Sequence, residues 1–190
     1  MSALWLEQPE GRRRAGVKGP RAADLLKQLG LTVPARANSW APLRLQDRDD
    51  SPNVIARLGN TEFFIEEQGE APGIAALEAA LDAQAGAFAG AYPVLHEDSA
   101  FVLGGAQAID ALAEVCNVNF AAPEFDTSGA HKPVVMSLVT GVGVLVLPQR
   151  TDGGAIYRIW CDPSFGPYLW ETLGEVSRTR VDTKTTGRAR

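Results

Sequence analysis

The chain has 190 residues, 45% of them hydrophobic and 22% charged, a balance that fits an ordinary globular protein of one large domain or two small repeats around a shared core. Eighteen Lys and Arg against 23 Asp and Glu give a net charge of −5, which argues against a duplex nucleic-acid binder with a phosphate-neutralising basic face. Two cysteines exclude a disulfide scaffold, and no apolar run approaches the roughly 20 residues of a membrane-spanning helix.

Along the chain, Ala22, Leu25, Leu26 and Leu29 repeat at helical spacing, with Gly30 as a stop and Pro34 beyond it, and predict a first helix over 20–29. Runs at 53–58 and 61–66, separated by Gly59-Asn60, read as a β-hairpin whose tight turn takes positive φ values. Ile74, Leu77, Ala80 and Leu81 mark a second helix after Pro72, closed near Gly86. Ile109, Leu112 and Val115 share one face of a third helix over 106–115. Val, Ile, Tyr and Trp clusters predict strands over 93–103, 134–147 with a break near Gly141, and 155–161. A last helix runs from Ser164 or Pro167 to Val176, with Ser164 as its N-cap.

A weak internal repeat joins these elements. Gly19–Leu29 and Gly105–Val115 align at an offset of 86, sharing Gly, Ala, Asp and Leu, and each opens a helix after a glycine. The expected fold is therefore α+β, with two pseudo-repeated halves of antiparallel sheet covered by helices on one face. The expected organisation is an N-terminal extension over 1–14, a body over 15–176 with halves at about 15–90 and 91–176, and a basic flexible tail over 177–190.

Charge is unevenly placed. From 58 to 131 there is no Lys or Arg, yet there are 12 acidic residues. The tail carries five basic residues against Asp182, so taking its +4 from −5 leaves −9 on residues 1–176, a body suited to a basic protein surface. Residues 1–11 contain no basic segment followed by an apolar one, and Arg12-Arg13-Arg14 is not followed by an apolar stretch, so a cytoplasmic location is expected. There Cys116 and Cys161 stay thiols, buried and unreactive.

Reactive groupings are scarce. No G-x-G-x-x-G or Walker pattern occurs, and Cys116, Cys161, His96 and His131 lack paired metal-ligand spacing. Glu66-Glu67 and Glu97-Asp98 could move protons, but adjacent strand residues point to opposite faces, so solvated surface charge is the expected state. No catalytic, cofactor-binding or metal residue is assigned. Aromatic side chains stand out instead. Trp160, Phe165, Tyr168 and Trp170 fall within 11 residues around two prolines, and such side chains anchor interfaces, so these four form the candidate partner surface.

At these residues the chain resembles the gamma subunit of heterotetrameric sarcosine oxidase. Leu58-Gly-Asn-Thr-Glu-Phe-Phe-Ile65 is similar to its L-G-P-D-E-W-L-L hairpin, Leu103-Gly-Gly-Ala-Gln-Ala108 to its L-x-G-P-x-A turn, and Pro163-Ser-Phe-Gly-Pro-Tyr-Leu-Trp170 to its R-S-F-A-x-Y-L-W helix start. The matched positions include Gly59, Glu62, Phe63, Gly105, Ala108, Ser164, Phe165 and Tyr168, and order and spacing agree over about residues 15–175.

The resemblance implies a fold like the folate-binding part of the glycine-cleavage T-protein. It also implies a non-catalytic subunit partnered by alpha, beta and delta subunits that hold FAD, FMN, NAD, tetrahydrofolate and zinc. Such a complex oxidatively demethylates sarcosine or another N-methyl amino acid and passes the one-carbon unit to tetrahydrofolate. Three departures qualify it. The T-protein D-V-S motif is replaced by Val94-Leu95-His96, residues 142–147 contain no carboxylate, and Pro163 replaces a basic residue, which points to another substrate such as N-methylglutamate. The alternative is a stand-alone folate-dependent aminomethyltransferase, and an orphan regulatory module is a third, weaker reading.

Overall fold

A computed structural model describes residues 3–43, 53–83, 90–129, 131–151 and 154–186. In chain order the elements are β1 (Trp5–Glu7), β2 (Arg12–Lys18), α1 (Ala22–Gln28), β3 (Ser39–Pro42), β4 (Val54–Arg57), β5 (Glu62–Gln68), α2 (Pro72–Asp82) and β6 (Tyr92–Val94). They continue with β7 (Ser99–Gly104), α3 (Ala108–Val115), β8 (Val135–Val139), β9 (Val142–Thr151), β10 (Gly154–Cys161) and α4 (Gly166–Thr186). The chain divides into two compact units, one of residues 1–9 with 98–190, the other of residues 10–97.

In the unit of residues 10–97, an antiparallel sheet has the order β3-β4-β5-β2-β6. Val17, Ile55, Phe63 and Ile65 project from it to meet Leu25 and Leu26 of α1 and Ile74 and Leu77 of α2, all nearly or fully buried. Val54, Ala56 and Phe64, on the opposite face, are buried too. Burial on both faces explains the consecutive apolar residues Val54-Ile55-Ala56 in β4 and Phe63-Phe64-Ile65 in β5, where an alternation would be expected of a half-exposed sheet.

In the other unit the antiparallel order is β1-β7-β10-β9-β8. Phe101, Leu103, Val144, Val146, Tyr157 and Ile159 pack with Ala108, Ala111 and Leu112 of α3 and Leu169 and Leu173 of α4.

Several expectations need correction. Residues 1–14 are no extension outside the body, since β1 pairs with β7 and β2 pairs with β5 along its whole length. The run at 93–103 is two strands in different units, β6 and β7. Neither Gly59 nor Asn60 takes a positive φ. The β4–β5 connection spans four residues, closed by the Leu58 amide donating to the Glu62 carbonyl at 2.9 Å. The two-residue turn with positive φ lies instead at Thr140-Gly141, between β8 and β9, with φ values of 50° and 83°.

The basic tail is helical as far as Thr186, as the continuation of α4, whose Leu169 and Leu173 pack into the core. Residues 187–190, and the Gly86 stop expected for α2, lie outside the described residues.

Candidate docking surface

The candidate surface begins where β10 ends. The Asp162 carboxylate accepts the Ser164 amide at 2.9 Å and also its hydroxyl, which holds that carboxyl below the usual range. Asp162, rather than the expected Ser164, is therefore the cap, and Pro163 occupies the first turn position, where no amide is required. A short 3-10 turn, Pro163–Phe165, passes directly into α4. At Gly166 an added Cβ would strike the side chain of Ser99, so a larger residue there requires the Ser99 hydroxyl to shift.

This anchoring sorts the aromatic side chains. Leu169 and Leu173 face the core, whereas Phe165 is 48% exposed, Tyr168 50% and Trp170 39%. The Tyr168 hydroxyl donates to the Thr140 carbonyl at 3.4 Å, and the Trp170 indole stacks on the buried Phe101 ring at 6.0 Å. Trp170 thus serves packing and surface at once. Trp160 is 2% exposed within its own chain and is withdrawn from the candidate surface: β10 is buried along both faces there, so a strand position hides an aromatic that a helix start would expose. The exposed charges nearest in sequence to the three aromatics are acidic, Asp162, Glu171 and Glu175, and the first basic group after them is Arg178, whose guanidinium lies over Gly174.

The motif residues are corner pieces of the fold. Phe63 is fully buried beneath the Arg57 guanidinium, 5.5 Å from its ring centroid. Glu62 opens β5, and Gly59, in the connection before it, offers its carbonyl to Arg57 at 3.2 Å. Gly105, at φ 112°, turns the chain from β7 into α3, and Ala108 is the first, fully buried residue of that helix.

The titratable groups are mostly engaged in structure. Glu66 and Glu67 do point to opposite faces, but both are buried, correcting the expectation of solvated charge. Glu66 is paired with Arg12 at 3.2 Å and Arg14 at 2.8 Å, while Glu67 accepts the Gly73 and Ile74 amides at the start of α2. Glu97 is exposed and Asp98 half-buried.

Both cysteines are buried and free, and burial, reinforced by Asp98 and Asp162, pushes the Cys161 thiol up to about 11. His96 meets the Phe64 ring edge-on at 4.9 Å, and His131 is exposed. Among the described residues no three His, Cys, Asp or Glu side chains gather as a metal site requires, and no helix is long and apolar enough to cross a membrane.

One exposed apolar pair escaped the sequence reading, Met136 at 60% and Leu138 at 58% on β8. Alternation with Ser137 would by itself turn both inward, so their exposure had no local signal in the sequence.

No protein-family model and no curated protein sequence matches the chain. Solved structures do. A chain of heterotetrameric sarcosine oxidase from Corynebacterium sp. U-96, in complex with pyrrole 2-carboxylate, superposes with a TM-score of 0.66 at 19% identity, covering 92% of this chain and 85% of that one. Glycine cleavage system aminomethyltransferase T from Bartonella henselae superposes with a TM-score of 0.63 at 19% identity, covering 90% of this chain and 45% of that one. The likeness establishes a T-protein-like α+β fold, and this chain spans less than half the length of the aminomethyltransferase.

Proposed function

We propose that this chain is a non-catalytic structural subunit, gamma-like, of a sarcosine oxidase-type flavoenzyme complex that demethylates an N-methyl amino acid. The observation that carries the reading is the match in extent, 92% of this chain against 85% of a chain from a heterotetrameric sarcosine oxidase. The aromatic start of α4 supports it, because Phe165, Tyr168 and Trp170 are exposed side chains of the kind that anchor interfaces. In this reading alpha, beta and delta subunits hold FAD, FMN, NAD, tetrahydrofolate and zinc, in line with the sequence resemblance.

The same reading makes the two units diverged repeats, and the strand orders β3-β4-β5-β2-β6 and β8-β9-β10-β7-β1 support it. So do the paired glycines. Gly19, at φ 119°, lies where a Cβ would strike the Gly90 carbonyl, and Gly105, at φ 112°, where one would lie 2.6 Å from the Ala3 carbonyl. The amide two residues after each donates to that same carbonyl at 2.9 Å, Arg21 to Gly90 and Gln107 to Ala3.

Co-expression with the alpha, beta and delta subunits of a sarcosine oxidase-type complex tests the proposal. A stable complex is expected, weakened by a Phe165→Ala, Tyr168→Ala double variant that still melts as the parent does. A chain that stays alone, turns over an N-methyl amine unaided or binds tetrahydrofolate in calorimetry would refute it, the last result favouring an aminomethyltransferase-like protein.

A further inference from the structure

Among the described residues, the large apolar side chains that stand exposed in the unit of residues 1–9 and 98–190 lie in two places, Phe165, Tyr168 and Trp170 at the start of α4 and Met136 and Leu138 on β8. The β8–β9 turn lies between them. Its Thr140 carbonyl accepts the Tyr168 hydroxyl at 3.4 Å, and Leu138 is two residues back along the strand, roughly 7 Å at the rise of an extended chain.

β8 is oriented in the reverse sense to a strand that only covers a core. Its one polar residue, Ser137, faces inward with Oγ 3.8 Å from the Sγ of buried Cys116, while Met136 and Leu138 face out. On that outer face exposure rises towards the edge of the sheet: Trp160 of β10 is buried, Leu145 opposite it on β9 is half-buried, and Met136 opposite Leu145 is exposed. Leu138 has Gly143 opposite, where an added Cβ would meet nothing within 4 Å, and residues 133–149 contain no charged side chain. The result is a flat, uncharged apolar strip. Strand addition along the edge of β8 is opposed by the chain after α3, because the Thr140 amide donates to the Val115 carbonyl at 2.8 Å and Cys116 bridges Val139. Docking there falls to the side-chain face.

The occupant follows from area and continuity. Three aromatic side chains at 39–50% exposure offer roughly 300 Å², since a whole aromatic side chain buries about 150–250 Å². A stable complex takes about 800 Å² from each partner. The start of α4 is too small to hold a subunit by itself, and the apolar surface that continues it past the turn is β8. We propose, resting on the subunit reading above, that the flavoprotein subunit seated on the start of α4 reaches across the β8–β9 turn. There it buries Met136 and Leu138 under an uncharged apolar part of its own surface, with Lys or Arg at the margin facing Asp162, Glu171 and Glu175.

The chain has two methionines, Met1 and Met136, so peptide mass spectrometry of Met136 oxidation by hydrogen peroxide reports this face without any substitution. Oxidation is expected to slow about tenfold or more when the full-length chain is assembled with alpha, beta and delta subunits. A Met136→Glu, Leu138→Glu double variant should bind those subunits about 100-fold more weakly while melting as the parent does. Met136→Thr, Leu138→Thr, which keeps strand-favouring residues should the glutamates disturb folding, should bind about tenfold more weakly. Equal oxidation in the free and assembled chain, or parent-like affinity of both variants, would overturn the proposal and leave the subunit reading standing. A parent chain that sediments alone as a dimer with Met136 already protected would overturn it in favour of a second copy. A parent chain that does not assemble at all would overturn both.

Discussion

Gly105 is a residue whose replacement the backbone itself opposes. Its φ of 112° is a conformation side chains rarely adopt, and a Cβ would press on the Ala3 carbonyl. Gly105→Ala is expected to cost about 2 kcal/mol or more, lowering the melting temperature by roughly 4–8 °C. Gly59→Ala, with nothing within 4 Å and no positive φ, is its control and should change stability by less than about 0.5 kcal/mol. Thermal unfolding of both variants checks the pair, and equal losses would contradict the assignment. Tyr157 and Cys161 predict an alkaline limit. Burial raises the tyrosine from 10.0 to about 12 and the thiol from 9.0 to about 11. Both are raised acids, so their contribution is fully present below pH 9 and declines as pH climbs towards 12, because the unfolded chain ionises first. Urea unfolding at pH 8 and pH 10.5 should show the lower midpoint at pH 10.5.

Among the elements, the β4–β5 hairpin is held by one guanidinium. Arg57 donates to the carbonyls of Gly59 at 3.2 Å, Asn60 at 2.6 Å, Ala35 at 3.0 Å and Pro34 at 3.3 Å, tying the four-residue connection to the loop before β3. No residue of that connection takes a positive φ, and the Arg57 side chain satisfies the Gly59 and Asn60 carbonyls. Arg57→Ala should therefore cost about 2 kcal/mol, the scale of hydrogen bonds to a charged group, and speed amide exchange at Leu58. Unchanged exchange would show that the hairpin closes without the clamp. At α2 the same economy appears in reverse. Ala71, at φ 49°, has no side chain with which to cap the helix, and the Glu67 carboxylate reaches in from β5 to do so.

At the scale of the whole molecule, charge and exposed aromatics act together. Residues 1–176 sum to −9, and Asp162, Glu171 and Glu175, exposed within a few residues of Phe165, Tyr168 and Trp170, outnumber Arg178 there. Association with the flavoprotein subunits of the proposed complex should therefore slow as salt rises, with dissociation less affected, since exposed charges steer encounter more than they hold the complex together. Stopped-flow mixing at two ionic strengths measures both rates. An association rate indifferent to salt would leave the acidic surface without a role in assembly.

The sequence by itself determined the α+β class, the helix cores at 22–28, 72–82 and 108–115, the hairpin around Gly59 and the burial of both cysteines. Each of these rests on a local signal, apolar spacing or a glycine or proline at a turn. Only the tertiary structure decided which charges and aromatics are hidden. Glu66 lies buried because Arg12 and Arg14 come to it from another strand, Glu67 because a helix start needs its oxygens, and Trp160 because β10 is covered on both faces. Pairing between segments far apart in the chain sets these outcomes, and no window of neighbouring residues encodes it.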